Sequence, residues 1–405
     1  LNSIPRPSTP MAQDRLVPHF PPAFDPDDPM LLSYLEEHGY AVIRSVASPS
    51  EVASLHDEFW AWIEAIPNAA RRYEPSTWEH GLGANPATGI LGGFGFGQSK
   101  FLWGCRTLPR VRASFEAIWG TSDLLTSFDG GNVFRPTHSR PEWRTCGGWW
   151  HCDQNAMRPD RSGRVCVQGL VLLTPANKWT GGLCVIPGSH LYHEEFSQRH
   201  PWAATQGDFL VAARDDPVLD VGEHLLLCAN AGDMLLWDSR IIHCNSPGLD
   251  PVSSAPEDAV PPEDELLRLV GYVCCTPTSM SSSEVRLHRA VAALELTSTT
   301  HWPQAFVQAG GDAPSWMKRR TPMDYSPEET RLILGNEGKW PAALMHECDD
   351  GNQVSAQLEP DSRGTKRKAA GSTTSKKTAT SSAWARLKMV ILKLPQKYLA
   401  VTDAD

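Results

Sequence analysis

A chain of 405 residues with 41% hydrophobic content and 15 Trp can bury one large core with appendages, and no run of about 18 uninterrupted apolar residues offers a membrane span. Its formal charge of −10 withholds the basic face that phosphate binding needs, so nucleic acid is not an expected partner of the folded body. Charge is uneven, however: ten Lys/Arg against three Asp from Asp361 onward make that stretch +7 and leave residues 1–360 at −17.

Residues 1–24 are Pro-rich and aperiodic and read as a flexible lead-in. Asp28-Pro29 then has the form of a helix start, Asp as N-cap and Pro in the first turn, with Gly39 as the stop. Tyr40-Ala41-Val42-Ile43 reads as a strand. Ser48-Pro49-Ser50-Glu51 is a capping box, and Val52, Leu55, Phe59, Trp62, Ile63 and Ile66 follow at helical spacing, a stripe suited to core packing. The glycine-rich stretch 81–97 lacks the Lys-Ser/Thr ending of a phosphate loop and reads as a mobile loop beside an active site. Phe101-Leu102-Trp103, Val111 to Ile118 and Leu124 to Phe128 are expected to cover one side of a sheet.

From Val133 the texture changes to short apolar runs divided by turns: Val165 to Leu173, Gly182 to Ile186, His224 to Cys228, Asp233 to Trp237 and Arg268 to Cys275. This pattern predicts a mainly β fold with flanking helices, a sandwich or barrel. The ten cysteines are scattered, with no Cys-x-x-Cys pair and with Cys166, Cys184 and Cys228 inside apolar runs, which fits a reduced, cytoplasmic setting. No secretory leader is legible in a sequence that opens on Leu1.

Within this β-rich region, Trp149-Trp150-His151-Cys152-Asp153 places an imidazole and a carboxylate one residue apart. On an extended segment both point to one face. A second imidazole, His243, follows Leu235 to Ile242, and two His with one carboxylate match the facial triad of non-haem Fe(II) oxygenases. A catalytically inactive binding module and a zinc-type His₂Asp hydrolase or isomerase stay open, because ligand type does not fix the metal.

The run His151-Cys152-Asp153, then Gly181-Gly182-Leu183-Cys184-Val185-Ile186-Pro187-Gly188-Ser189-His190, then Gly232-Asp233-Met234-Leu235-Leu236-Trp237-Asp238 leading to His243, resembles the phytanoyl-CoA dioxygenase family of Fe(II)/2-oxoglutarate-dependent oxygenases. The resemblance spans roughly residues 28–276 and extends toward 335. It implies a double-stranded β-helix (jelly-roll, cupin-like) barrel. It also implies His151, Asp153 and His243 as iron ligands, 2-oxoglutarate and O₂ as co-substrates, and hydroxylation of a small organic or lipid-derived substrate with release of succinate and CO₂. His190 belongs to a turn that is structural in the family. Halogenation is disfavoured by the carboxylate of Asp153.

The distal carboxylate of 2-oxoglutarate calls for a buried bidentate cation, which arginine suits better than lysine. Arg268 is the first candidate on the strand after His243, Arg240 the alternative at an odd offset that should face away, and Asn245 a possible further hydrogen bond. Residues 249–265 read as an inserted, disordered acidic loop. Trp149, Trp150 and Trp237 are candidate walls of a substrate pocket, Cys152 a packed thiol. Arg158, Arg161 and Arg164 read as a solvated loop, with an acidic substrate as the competing use.

Ser326-Pro327-Glu328-Glu329 is a further capping box, opening a helix to Gly335. The expected organisation is a lead-in (1–24), one catalytic domain (25–340) with its β core at about 130–280, and a basic low-complexity tail (341–405) with a possible short helix at 383–399. Lys366-Arg367-Lys368 could mark nuclear import, and a solubilising linker is the competing reading.

Overall fold

The computed structural model describes residues 15–200, 207–310 and 313–345. The basic cluster and terminal helix expected beyond 345 lie outside them. Two open sheets face each other as a jelly-roll sandwich flanked by helices, so the expected barrel is not closed. The larger sheet has eight strands. Across it run Ala23–Phe24, Tyr40–Ile43, Met234–Asp238, Val167–Leu172, Arg268–Pro277, Gly131–Phe134 and Ile90–Leu91, while Leu124–Thr126 pairs with the far end of Arg268–Pro277. The six-stranded sheet runs Leu16–His19, His224–Leu227, Gly182–Val185, His243–Ser246, His151–Cys152 and Leu210–Val211.

Alternation along each strand sorts the side chains. Val42, Leu170, Leu172, Leu235, Trp237 and Val270 from the large sheet meet Leu183, Val185, Leu225 and Leu227 from the small one in the sandwich interior. Ala41, Ile43, Val171, Met234, Leu236, Leu269 and Val273 point the other way, against the helices Pro49–Glu64, Lys100–Thr107 and Pro109–Trp119. Ser48 caps the first of these through the full capping box with Glu51, and Trp60 rather than Trp62 is its deeply buried indole. Gly271 lets the sheet approach Lys100–Thr107, since a Cβ there would sit 2.8 Å from Cys105 Sγ.

Several expectations are corrected. Residues 16–19 and 23–24, read as part of a flexible lead-in, are edge strands pairing in parallel with His224–Leu227 and with Val42–Ile43. Non-local pairing of this kind leaves no periodic signature in so short a run. The first helix spans Leu31–His38. Asp28 instead accepts the Met30 N–H at 2.9 Å in a preceding turn, while Gly39 does close the helix at φ 78°. The stretch 81–97 contributes Ile90–Leu91 to the sheet edge, opposite Asn132 and Gly131. The insertion 249–265, expected to be disordered, carries 3₁₀ turns, and its Val252 and Val260 pack on Phe134 and Leu267.

A second helical layer has no counterpart in the sequence reading apart from its capped member Pro327–Leu334, whose Ser326–Glu329 capping box forms as expected. Ser283–Leu294 packs beside it through Arg289, which is fully buried. That guanidinium donates to the carbonyls of Ile333 (3.0 Å), Leu332 (3.0 Å), Pro303 (3.1 Å) and Thr126 (2.6 Å), tying both helices and the 295–309 segment to the sheet.

Leu236 is completely buried between the large sheet and its helices. Leu236→Ala should therefore lower the unfolding free energy by about 2–5 kcal/mol in urea titrations. A loss below about 1 kcal/mol would mean that the helical layer is not packed on that face.

Candidate metal centre

The His151–Cys152 and His243–Ser246 strands are antiparallel neighbours, and His243 lies directly opposite His151 in register. Both rings therefore enter the sandwich interior, while Cys152 and Cys244 point outward into a separate apolar cluster. Asp153 follows the short strand, its N–H donated to the Ser239 carbonyl at 3.1 Å. One ligand atom each from His151, Asp153 and His243 falls within 4.8 Å of the others. Asp153 Oδ2 is 3.2 Å from His243 Nε2, and Oδ1 is 3.6 Å from His151 Nε2.

Hydrogen bonding selects the ring tautomers. His151 Nδ1 lies 3.0 Å from the Trp149 carbonyl and His243 Nδ1 3.0 Å from the Ile241 carbonyl. A carbonyl only accepts, so each Nδ1 carries a proton and each Nε2 is the ring atom turned toward the shared point. Burial, reinforced by His243, pushes the His151 imidazole down to about 3, so it is neutral and able to ligate. Burial opposes ionisation of Asp153, yet His301, His151 and His243 together outweigh it and hold the carboxyl well below its usual range. Two imidazoles and one carboxylate converge, a donor set suited to a divalent cation of intermediate softness.

Two polar residues of the facing sheet complete this end of the interior. Gln168 Nε2 donates to Asp153 Oδ2 at 2.9 Å and to Ser239 Oγ at 3.2 Å, orienting the carboxylate. Tyr272 receives the Asn245 Nδ2 hydrogen bond at 3.4 Å, and burial pushes its phenol up to about 12. The sequence reading missed both. Gln168 interrupts an apolar run on the inward face, and Tyr272 stands four residues after Arg268 on the same face, so the two-residue period held a signal for each.

Arg268 is 1% exposed and anchored by one bond, Nε to Asn132 Oδ1 at 3.2 Å. Its Nη1 and Nη2 are buried without hydrogen-bond partners among the described residues, as is Asn245 Oδ1. Burial lowers the guanidinium to about 10, which still leaves it charged at neutral pH. Gly182 makes room for it, since a Cβ there would lie 3.1 Å from Nη1. A buried fork with two free donor arms fits a bidentate anion such as the distal carboxylate of 2-oxoglutarate, and leaving it unmatched is costly. Arg240, expected on the iron-bearing strand, sits instead in the turn before it and is consumed by Asp238 through bonds of 2.9 and 2.7 Å.

Of the remaining candidates, Trp149 stacks on His151 with centroids 4.7 Å apart and planes 8° from parallel. Trp237 faces inward 5.6 Å from His243, whereas Trp150 joins the outer cluster. Cys152 is a buried thiol pushed well up by burial. The loop of Arg158, Arg161 and Arg164 is not freely solvated: the first two pair with Asp208 at 3.2 Å each, Arg164 pairs with Glu36 at 2.9 Å, and Arg161 lies 4.0 Å over the Trp302 ring. His190 bonds the Glu36 carbonyl at 2.9 Å through Nε2, away from the triad.

A family model described as Phytanoyl-CoA dioxygenase matches residues 35–247. The chain is 27% identical over 284 residues to Ava biosynthesis cluster protein O of Aspergillus versicolor, covering 66% of this chain and 84% of that protein. Among solved structures it is similar to the non-heme alpha ketoglutarate dependent carbocyclase SnoK from nogalamycin biosynthesis at 16% identity and a TM-score of 0.43, covering 64% of this chain and 87% of that one. It is also similar to EctD from S. alaskensis, solved with 2-oxoglutarate and 5-hydroxyectoine, at 14% identity and a TM-score of 0.40, covering 65% and 80% of the two chains.

Because Gln168 holds one carboxylate oxygen of the triad, Gln168→Leu should weaken metal affinity about 10–100-fold while leaving the fold intact. Anaerobic Fe(II) titration reads this. Unchanged affinity would show that Asp153 is oriented without it.

Proposed function

Since the chain belongs to the phytanoyl-CoA dioxygenase family, we propose that His151, Asp153 and His243 hold Fe(II), that Arg268 receives the distal carboxylate of 2-oxoglutarate, and that the enzyme hydroxylates a small organic or lipid-derived substrate. It is a non-haem Fe(II)- and 2-oxoglutarate-dependent dioxygenase, with O₂ as the second co-substrate. The observation that carries the residue assignment is the pairing of a converged His₂Asp cluster with a buried guanidinium whose two outer nitrogens have no partner among the described residues.

Iron with 2-oxoglutarate supplies the activation of O₂, with succinate and CO₂ as the spent co-products. The chain supplies position. Trp149 and Ile241 carbonyls fix both imidazoles, and Gln168 fixes the carboxylate. Asn132 holds the Arg268 guanidinium through Nε, and Asn245 donates to Tyr272 across the two facing sheets. The free Arg268 arms favour this reading over a His₂Asp zinc hydrolase or isomerase, which has no need of a dicarboxylate anchor there.

No helix among the described residues is long and apolar enough to cross a membrane. A cytoplasmic setting is supported by nine described cysteines, all of them free. The acidic balance of the body supports a small-molecule rather than a nucleic-acid partner.

Anaerobic addition of Fe(II) and 2-oxoglutarate should produce the weak visible charge-transfer band of the chelate, followed by O₂-dependent succinate release. A protein that binds neither would overturn the reading. Asp153→Ala should abolish hydroxylation, because it removes the only anionic protein ligand, and near-wild-type turnover in that variant would take Asp153 off the metal.

Arg268→Ala breaks a buried charge pair, worth about 2–5 kcal/mol, so 2-oxoglutarate affinity should fall on the order of 30-fold or more. Iron affinity should barely move. Arg240→Ala, which strips the partner from Asp238, should lower stability and leave co-substrate affinity within a few-fold of wild type; a larger effect at 240 than at 268 would reassign the anchor.

A further inference from the structure

The 295–309 segment, placed by Arg289 and its helices, is tied to the metal centre through Cys166, whose carbonyl accepts the Ser239 N–H at 3.1 Å while the Ser239 carbonyl accepts that of Asp153 at 3.1 Å. Thr299 N–H donates to the Phe128 carbonyl at 2.9 Å, and Phe128 N–H returns to Thr299 Oγ1 at 3.0 Å, so residues 128–129 and 299–301 lie side by side. Cys166 Sγ reaches the His301 carbonyl at 3.5 Å, and Gln304 Nε2 donates to the Val165 carbonyl at 2.9 Å, which fixes the segment against the strand that carries Gln168. His301 Nε2 is buried and has no hydrogen-bond partner among the described residues, and neighbouring Thr300 Oγ1 is in the same condition.

Asp129 is held alongside. Its backbone carbonyl accepts Arg106 Nη2 at 2.9 Å, one carboxylate oxygen takes the Gly130 N–H at 2.7 Å, and the next carbonyl, Gly130, accepts the Tyr272 N–H at 2.9 Å. The imidazole of His301 is near enough to favour the ionised forms of both Asp129 and Asp153; burial pushes the Asp129 carboxyl up against that pull. On the His151 side the surroundings are apolar. Trp149 is stacked on the ring, and Phe209, 41% exposed, lies 4.6 Å from it. Phe209 is steadied through its neighbour Asp208, which Arg158 and Arg161 grip.

A buried donor-acceptor without a partner next to a metal centre with an aromatic wall describes a complementary molecule: an apolar ring body with one hydrogen-bonding group. We propose that His301, set beside Asp129, is a substrate-binding residue that hydrogen-bonds a hydroxyl of a small ring-bearing substrate whose apolar body rests on Trp149 and Phe209. This inference rests on the dioxygenase reading and adds to it the polarity of the substrate. A site built around such a hydrogen bond rejects an analogue that lacks the hydroxyl, because the imidazole is then left unpaired.

The test uses a matched pair of probes, 2-naphthol and 2-methylnaphthalene, titrated anaerobically into the Fe(II)- and 2-oxoglutarate-loaded protein while the visible band is followed. Wild type should hold the naphthol about tenfold more tightly, which is ~1.4 kcal/mol. His301→Phe should bring the two probes within about threefold of each other, and His301→Gln, which retains a donor and an acceptor, should restore part of the preference. Should His301→Phe fail to fold, Asp129→Asn takes its place and should also reduce the preference.

Failure of 2-naphthol to bind, equal binding of the two probes by wild type, or a preference that survives His301→Phe overturns the proposal. A band lost only in His301→Phe overturns it too, by placing His301 on the co-substrate. Absence of the band in wild type before any probe is added is a different failure, that of the dioxygenase reading itself.

Discussion

Antiparallel registry of His243 opposite His151 binds the chemistry of this protein to its architecture. With a side-chain period of two, a slip of one residue in either strand would turn an imidazole out of the sandwich and bring Cys152 or Cys244 in. Registry is held from both sides: His243–Ser246 also pairs along its whole length with Gly182–Val185, whose inward Leu183 and Val185 belong to the central apolar cluster. The hydrophobic core thus specifies where the ligands fall, and the two backbone carbonyls behind the rings specify how they point.

The facing sheet contributes the polar groups that make the centre more than a metal clasp. Gln168, Arg268 and Tyr272 project from adjacent strands into a largely apolar interior, and the guanidinium arms of Arg268 have no hydrogen-bond partner among the described residues. Burying an unpaired cation opposes folding, so the surrounding core must offset it. That core is extensive on the outer face of the large sheet, where three helices bury aromatic and aliphatic side chains against it. Stability and function are distributed unequally here: the outer face holds the fold, and the inner end carries unsatisfied groups suited to a dicarboxylate.

The second helical layer extends that division. Arg289, buried and fully engaged with four carbonyls, is structural where Arg268 is poised, although both are inaccessible arginines. What it positions is the 295–309 segment, and with it His301 at the edge of the metal centre. An element far from the triad in sequence is therefore bound to the segment that leads into the Gln168 strand.

The chemistry-bearing spacing was legible in the residues: His151 and Asp153 one apart on an extended segment, His243 behind an apolar strand, capping boxes at Ser48 and Ser326, and the inward phase that Arg268 shares with Val270. Local rules govern each of these, since a cap, a two-residue period and a run of branched side chains act over a few residues. Other features depended on contacts between distant residues. Strand pairing of Leu16–His19 with His224–Leu227, packing of the acidic insertion on Phe134, the bond from Gln168 to Asp153, and the placement of the His301 segment against Phe128 all join positions whose partners no local pattern names. Sequence by itself determined which residues could serve as ligands and which way they would face; the tertiary structure decided which polar groups would meet them, because burial and hydrogen-bond satisfaction are settled only when distant segments close on one another.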